Sequence, residues 1–481
     1  MNLVKYFLMK IQHIYALIGL FLMFSYACQN SNQQEKSDKK TGESYQLQAK
    51  INNFPAKQEA YLLHIYGEDL LIVDTLQSNI DGKFIFNFSQ KESIGMYRFL
   101  IDNEKYIDFI FNDENIVLNA DYQNIDESLT IEKSLETKLY YEYRNQAMES
   151  EYIKAQASKM LMQINDEKDA QHKVALATFN EAQAAYQKVV QQILKQHSET
   201  YIGKIVACSQ IPNTNPLWTD TKRNAILQQA MLENFNFSDT SLLHSSTIAK
   251  SIVNYLSLYV AENMSVAEQE KAFMQASDIL LNKAKKGDNE VYAFVLEYLL
   301  SSFSKLEADK VLEHIAENYD LQNGCSNVEK SRFIQDKLAN IKLFRIGNQL
   351  PNIQLFDEKE TETDLTKTVT KPTLLIFWAS WCEHCTEILP QIKALYETQG
   401  SNKKWEVVAV SLDEDKTIWQ EFIEGGNYTW FNSCDGKSWE GESVKSLHIY
   451  ATPVMLWLDN ELVIKDLPKN VEDIKRYITT L

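Results

Sequence analysis

The chain has 481 residues, 44% of them apolar and 24% charged, with 48 Lys plus Arg against 66 Asp plus Glu for a formal net charge of −18. That balance excludes wholesale disorder, and 14 Gly with 8 Pro exclude collagen-like or low-complexity chains. An acidic chain without a basic patch repels phosphate, so no nucleic-acid partner is expected; the length implies two to four domains.

Residues 1–27 have the pattern of a secretory signal. Lys5 and Lys10 precede an apolar run, Ile14–Phe24, that is too short to span a bilayer. The run ends in Ser25-Tyr26-Ala27-Cys28. That tetrapeptide resembles a bacterial lipoprotein lipobox, with Ser25 where Leu is preferred and a bulky Tyr26. The resemblance implies that Cys28 is the lipidated mature N-terminus and that acyl chains hold the chain at a membrane. The alternatives are an ordinary signal peptide with an incidental cysteine and an uncleaved anchor. Residues 28–43 contain no large apolar side chain after Cys28, as in a solvated tether.

Residues 44–130 have the alternation of strands. Leu47, Ala49 and Ile51 share one face, as do Phe84, Phe86 and Phe88, and Ile107, Phe109 and Phe111. Ile85 and Ile110 predict that the opposite faces are partly covered too. Asp81-Gly82 before Lys83 predicts a hairpin turn, because Gly tolerates positive φ. The stretch from Tyr61 to Asp74, with Asp81-Gly82-Lys83-Phe84, resembles the small β domain that precedes thioredoxin-like domains in Bacteroidetes envelope proteins. It contains no catalytic constellation, and reads equally as a partner-binding module or a spacer.

Residues 131–345 have helical periodicity. Ala175, Phe179, Ala182, Tyr186, Val189 and Ile193 form one apolar stripe, short enough to favour an intramolecular packing face over a coiled-coil seam. Pro212 and Pro216 interrupt the helices. Cys208 and Cys325 lie here and are either a disulfide pair or inert buried thiols.

Residues 346–481 alternate strands with helices, which predicts an α/β sheet layered with helices. Thr373–Trp378 (TLLIFW) and Trp405–Ser411 are apolar runs typical of strands covered on both faces. Val454–Leu458 is a third strand, followed by Leu462–Ile464. Helices are expected over Glu383–Thr398, with Pro390 as a kink, and over Lys416–Glu424 and Asn470–Leu481.

Between the first strand and its helix lies Trp381-Cys382-Glu383-His384-Cys385. Two intervening residues let the sulfurs meet within one helical turn, and the free N–H groups of a helix N-terminus favour the thiolate of the first cysteine. The thiolate attacks a disulfide, and the second cysteine resolves the mixed disulfide. The rival readings are half of a zinc site, for which a second pair is lacking (Cys434 and His448 are isolated), and an inert structural disulfide.

FWASWCEHC, VVAVSLDED and ATPVMLWLD resemble the thioredoxin-like fold of the TlpA/ResA group of envelope thiol-disulfide oxidoreductases. The resemblance implies that Cys382 is the nucleophile and Cys385 the resolving cysteine, with Trp381 an aromatic shelf beside them. It implies a cis bond between Thr452 and Pro453 facing the sulfurs, with the Thr452 backbone free to pair with an extended substrate. Two positions depart from the pattern: Ile376 replaces a buried Asp, and Ile388 stands where a Glu is usual, with Glu387 one residue earlier. His384 and Glu387 are therefore the candidates for tuning the pair. The whole implies a multidomain chain with an N-terminal mainly-β domain, an all-α middle region and a C-terminal α/β thioredoxin-like fold. The implied function is an exported, periplasmic-side thiol-disulfide oxidoreductase needing no cofactor or metal. Protein thiols and disulfides would be its substrates, and a separate redox partner would recycle it. The alternatives are a binding or scaffold lipoprotein with a redox-inactive thioredoxin-like domain, and a thiol chaperone of copper or haem maturation.

Overall fold

The computed structural model describes residues 45–55, 58–89, 92–164, 166–319, 328–401 and 403–481, the side chains of 328–333 excepted. The leader, Cys28, the tether and Cys325 lie outside the described residues. The chain divides into two compact units, Met1–Leu299 and Leu300–Leu481. No helix among the described residues is long and apolar enough to cross a membrane.

The first unit begins with eight strands: β1 (Tyr45–Asn52), β2 (Glu59–Tyr66), β3 (Asp69–Gln77), β4 (Lys83–Phe88), β5 (Gly95–Leu100), β6 (Tyr106–Phe111), β7 (Ile116–Asp121) and β8 (Thr130–Lys133). They form two four-stranded sheets, β4-β1-β7-β8 and β3-β2-β5-β6. Leu47, Ala49, Phe84 and Phe88 from one sheet share a single core with Phe99, Ile107, Phe109 and Phe111 from the other. The alternation in the sequence is thus the inner face of a β-sandwich.

Two expectations change here. Gly82 does take a positive φ of 72°, but the turn is not a hairpin. β3 pairs with β2, whereas β4 crosses to the other sheet and pairs with β1, setting Phe84 opposite Ala49. Such a crossing places Phe84 and Phe88 on the core face. On the outward face of β4, Ile85 is 46% exposed, whereas Ile110 on β6 is fully buried, its N–H donating to Thr137 Oγ1 in the first turn of the helix that follows β8.

The helical part opens with an antiparallel pair, Leu135–Gln163 and Ala170–Gln196. Ser150 Oγ donates to the Ala182 carbonyl (2.9 Å), and the Tyr143 and Tyr186 hydroxyls lie 3.4 Å apart. The predicted stripe faces this partner within the chain, with one shift: Val190, not Val189, is buried. A step of four from Tyr186 and then three to Ile193 follows the 3.6-residue turn as well as the reverse order does. Further helices are Tyr201–Ser209, Asp220–Asn234, Thr247–Ser257, Val266–Ala284 and Asn289–Lys305. Cys208 is a free, buried thiol, and burial pushes it up to about 11.

The second unit contains helices Asp309–Asn318 and Val328–Leu343, then a short β9 (Gln354–Phe356) and β10 (Glu362–Asp364) pair. Its main sheet comprises β11 (Thr373–Trp378), β12 (Glu406–Ser411), β13 (Phe431–Cys434), β14 (Val454–Leu458) and β15 (Ile464–Asp466), in the order β13-β12-β11-β14-β15. β11, β12 and β13 are parallel; β14 and β15 are antiparallel to their neighbours. Leu375, Phe377, Val408, Val410, Leu456 and Leu458 enter one core, and Leu374, Ile376, Trp378, Val407, Ala409 and Trp457 the other. Both faces are therefore covered, which is why these strands carry runs of consecutive apolar residues rather than an alternation. Helix Glu383–Glu397 buries Cys385, Leu389, Ile392 and Tyr396 and runs unbroken through the exposed Pro390. The architecture is a mainly-β start, an all-α middle and a C-terminal α/β fold, as the patterning predicts.

Candidate active site

The site lies at the end of β11, where the chain leaves the sheet at Trp378 and enters the Glu383–Glu397 helix. Cys382 is the N-cap of that helix. Its carbonyl accepts from the Cys385 and Thr386 N–H groups, each at 3.0 Å, and its Sγ lies 3.3 Å from the Cys385 nitrogen. The two cysteines are joined in a disulfide with Cα atoms 5.2 Å apart. Their surroundings differ. Cys385 is wholly buried beneath the helix, whereas Cys382 is half-buried at its tip. Only Cys382 is open to attack from, or on, a partner in solution, and the positive end of the helix stabilises negative charge on its sulfur.

The Thr452–Pro453 bond is cis. The Thr452 carbonyl oxygen lies 3.6 Å from Cys382 Sγ. Antiparallel pairing of β14 with β11, in which Val454 faces Phe377, brings this dipeptide across from the cysteines. The Thr452 peptide lies just past the end of that pairing, so a chain running extended beside it continues the sheet. Trp381 is 56% exposed, and His384 and Glu387 are exposed on the first turns of the helix. Ile376 is buried in the helix-side core, and Ile388 packs partly against it.

Three features of the site have no signal in local sequence periodicity. Asp413 sits just past the end of β12 and is 3% exposed. Its carboxylate accepts from the Ser380 N–H (3.1 and 3.2 Å), Ser380 Oγ (2.6 Å) and Ser411 Oγ (2.6 Å), tying down the loop that carries Trp381 and Cys382. An acidic residue directly after a buried strand, at the carboxyl end of a parallel sheet, is the available clue. Second, Trp439 in the Ser438–Glu440 turn places its ring centroid 6.2 Å from that of Trp381. Third, the Val328–Leu343 helix holds the segment leading to Pro453. Asn340 Nδ2 donates to the Leu447 carbonyl (2.9 Å), and Asp336 Oδ1 lies 3.1 Å from His448 Nδ1.

The residues weighed for a zinc site do not converge. Cys434 is buried with its Sγ 3.3 Å from the Asp413 carbonyl, and burial pushes its thiol up. His448 faces Asp336. Among the described residues no three His, Cys, Asp or Glu side chains are grouped to hold a metal ion.

A central β-sheet between two helical layers, a Cys-x-x-Cys pair capping a helix, and a cis-proline facing it define a thioredoxin-like domain. Residues 370–462 match the thioredoxin-like family Thioredoxin_8. The thiol-disulfide oxidoreductase ResA of Oceanobacillus iheyensis is 33% identical over 87 residues, 17% of this chain and 45% of that protein. The sporulation thiol-disulfide oxidoreductase A of Bacillus subtilis is 29% identical over 110 residues, 22% of this chain and 65% of that protein. A crystal structure of a thioredoxin-like protein from Bacteroides caccae aligns over 56% of this chain and 98% of its own, at 19% identity and a TM-score of 0.40. The chain therefore spans 45% and 65% of the two curated relatives. Its thioredoxin-like domain is thus similar to the matched parts of these thiol-disulfide oxidoreductases.

Proposed function

We propose that this chain is an exported thiol-disulfide oxidoreductase that exchanges disulfides with protein substrates through Cys382 and Cys385. The observation that carries the reading is the asymmetry of the pair: an accessible sulfur at a helix N-cap, a buried one behind it, and a cis Thr452–Pro453 peptide alongside. In the reduced form the Cys382 thiolate attacks a substrate disulfide. One S–S bond breaks as the Cys382–substrate bond forms, and the released substrate sulfur takes up a proton. Cys385 then gives up its proton and attacks Cys382 Sγ, forming the intramolecular disulfide and releasing the second substrate thiol. Two electrons pass from the cysteine pair to the substrate. The same steps in reverse oxidise a dithiol, and the relative potentials set the direction.

Trp381, Thr452 and Pro453 serve as the substrate-facing surface, with His384 and Glu387 as tuning groups. The leader pattern supports secretion to the periplasmic side of the envelope, and Cys28 supports a lipid anchor. A separate redox partner returns the pair to its working state. Reduction of insulin disulfides by the full chain, with and without Cys382→Ser, tests this reading. Activity in the wild type that Cys382→Ser abolishes is the expected result; equal activity in both, or none in the wild type, overturns it.

A further inference from the structure

The C-terminal unit contains seven tryptophans. Trp378, Trp405, Trp419, Trp430 and Trp457 are at most 5% exposed, whereas Trp381 and Trp439 are 56% and 39% exposed. The two that stay open to solvent are the two that meet beside the reactive sulfur, with ring planes at 52°. Trp439 is held in place by its turn rather than by chance. Ser438 is buried with a left-handed φ of 51°. The turn is closed by the Glu440 N–H donating to the Lys437 carbonyl (2.9 Å) and the Gly441 N–H donating to the Ser438 carbonyl (3.2 Å). The two exposed, tilted rings present one apolar surface, and aromatic side chains are the usual anchors of protein recognition.

What would lie against the ring pair follows from its position. On the redox reading above, which this inference rests on, the substrate's cysteine sits at Cys382 Sγ and its chain runs extended past the Thr452 peptide. A strand advances about 3.3 Å per residue, so a residue next to that cysteine reaches the ring pair one or two steps along. We propose that Trp381 and Trp439 together clamp a bulky apolar side chain beside the substrate's disulfide cysteine. The site thereby selects extended polypeptide disulfides with such a neighbour over polar ones.

The test uses the reduced full chain and two disulfide peptides that differ only in carrying Phe or Ala before the cysteine. The wild type should turn over the Phe peptide about tenfold better in kcat/KM, expressed chiefly in KM, as expected when an aromatic contact of about 1.4 kcal/mol is gained. Trp439→Ala should bring the Phe peptide down to the Ala peptide, and Trp439→Phe should restore most of the preference. Throughout, the equilibrium of the Cys382–Cys385 pair with glutathione should stay unchanged. Equal turnover of both peptides by the wild type, or a preference that survives in Trp439→Ala, overturns the clamp and leaves the redox reading standing. No turnover of any disulfide by the wild type takes down both.

Discussion

Removing the Asp413 carboxylate should loosen the cysteine loop and destabilise the C-terminal unit together. In the folded chain the carboxylate receives three donors, the Ser380 N–H and the hydroxyls of Ser380 and Ser411, in a site almost closed to water. A hydrogen bond to a charged group contributes about 1.5–3 kcal/mol, and a buried donor left without a partner costs about 1–3 kcal/mol. The terms overlap, so Asp413→Ala should cost about 3 kcal/mol. Asp413→Asn keeps one acceptor oxygen but turns an amide donor toward the hydroxyls, and should cost about half of that. Seven of the eight tryptophans (all but Trp218) belong to this unit, so their fluorescence in urea reports on it directly. With a slope near 2 kcal/mol per M, the alanine variant's midpoint should fall by about 1.5 M. A midpoint within about 0.25 M of wild type would refute the argument that Asp413 holds the loop.

Other consequences follow from the same structure. Burial and the nearby His244 lower His64 to about 4, and burial lowers His244 as well. The two rings stack 4.9 Å apart with Tyr97 on the far side of His64, Tyr66 edge-on to His244, and Glu290 bonded to Tyr66. A depressed histidine favours the neutral folded form, so stability present above about 6.5 should be lost as pH falls toward about 4. Hydrogen-exchange protection factors in β2 and β5, taken relative to the intrinsic rate at each pH, should fall over that window, and His64→Phe should flatten the response; an unchanged profile would contradict it. Asn340→Ala should cost about 1–2 kcal/mol by stranding the Leu447 carbonyl, read again by tryptophan fluorescence. After mild reduction, native alkylation at pH 7 should label Cys382 and spare Cys208, Cys385 and Cys434 until the chain is denatured, because the last three are buried. Mass spectrometry of the labelled peptides decides this.

The elements visible in the sequence were those whose burial is written in local period. TLLIFW and EVVAVS carry consecutive apolar residues, Leu374 to Trp378 and Val407 to Val410, because each face of the sheet has its own core. The Cys382–Cys385 pair and Thr452-Pro453 were visible as motifs, although 70 residues separate them in the chain. What local pattern does not carry is pairing chosen at a distance. The turn at Gly82 has the backbone of its residue type, yet its flanking strands belong to different sheets, because sheet membership depends on partners elsewhere. Asp413, Trp439 and Asn340 reach the site only through tertiary packing. Asp413 and Trp439 sit in short polar or turn segments and Asn340 on a helix, places where a functional residue and a solvated one have the same local signature. Val190 rather than Val189 facing the core is a smaller case, since two adjacent valines satisfy the helical stripe about equally well.

The central claim concerns which sulfur meets the substrate, and trapping the intermediate tests it most directly. Incubated with a disulfide peptide after reduction, Cys385→Ser should accumulate a mixed disulfide on Cys382 that mass spectrometry maps to that residue, while Cys382→Ser should yield none. Adducts forming on Cys385 in the Cys382→Ser chain as fast as on Cys382 in the other would contradict the assignment of the exposed and the buried sulfur.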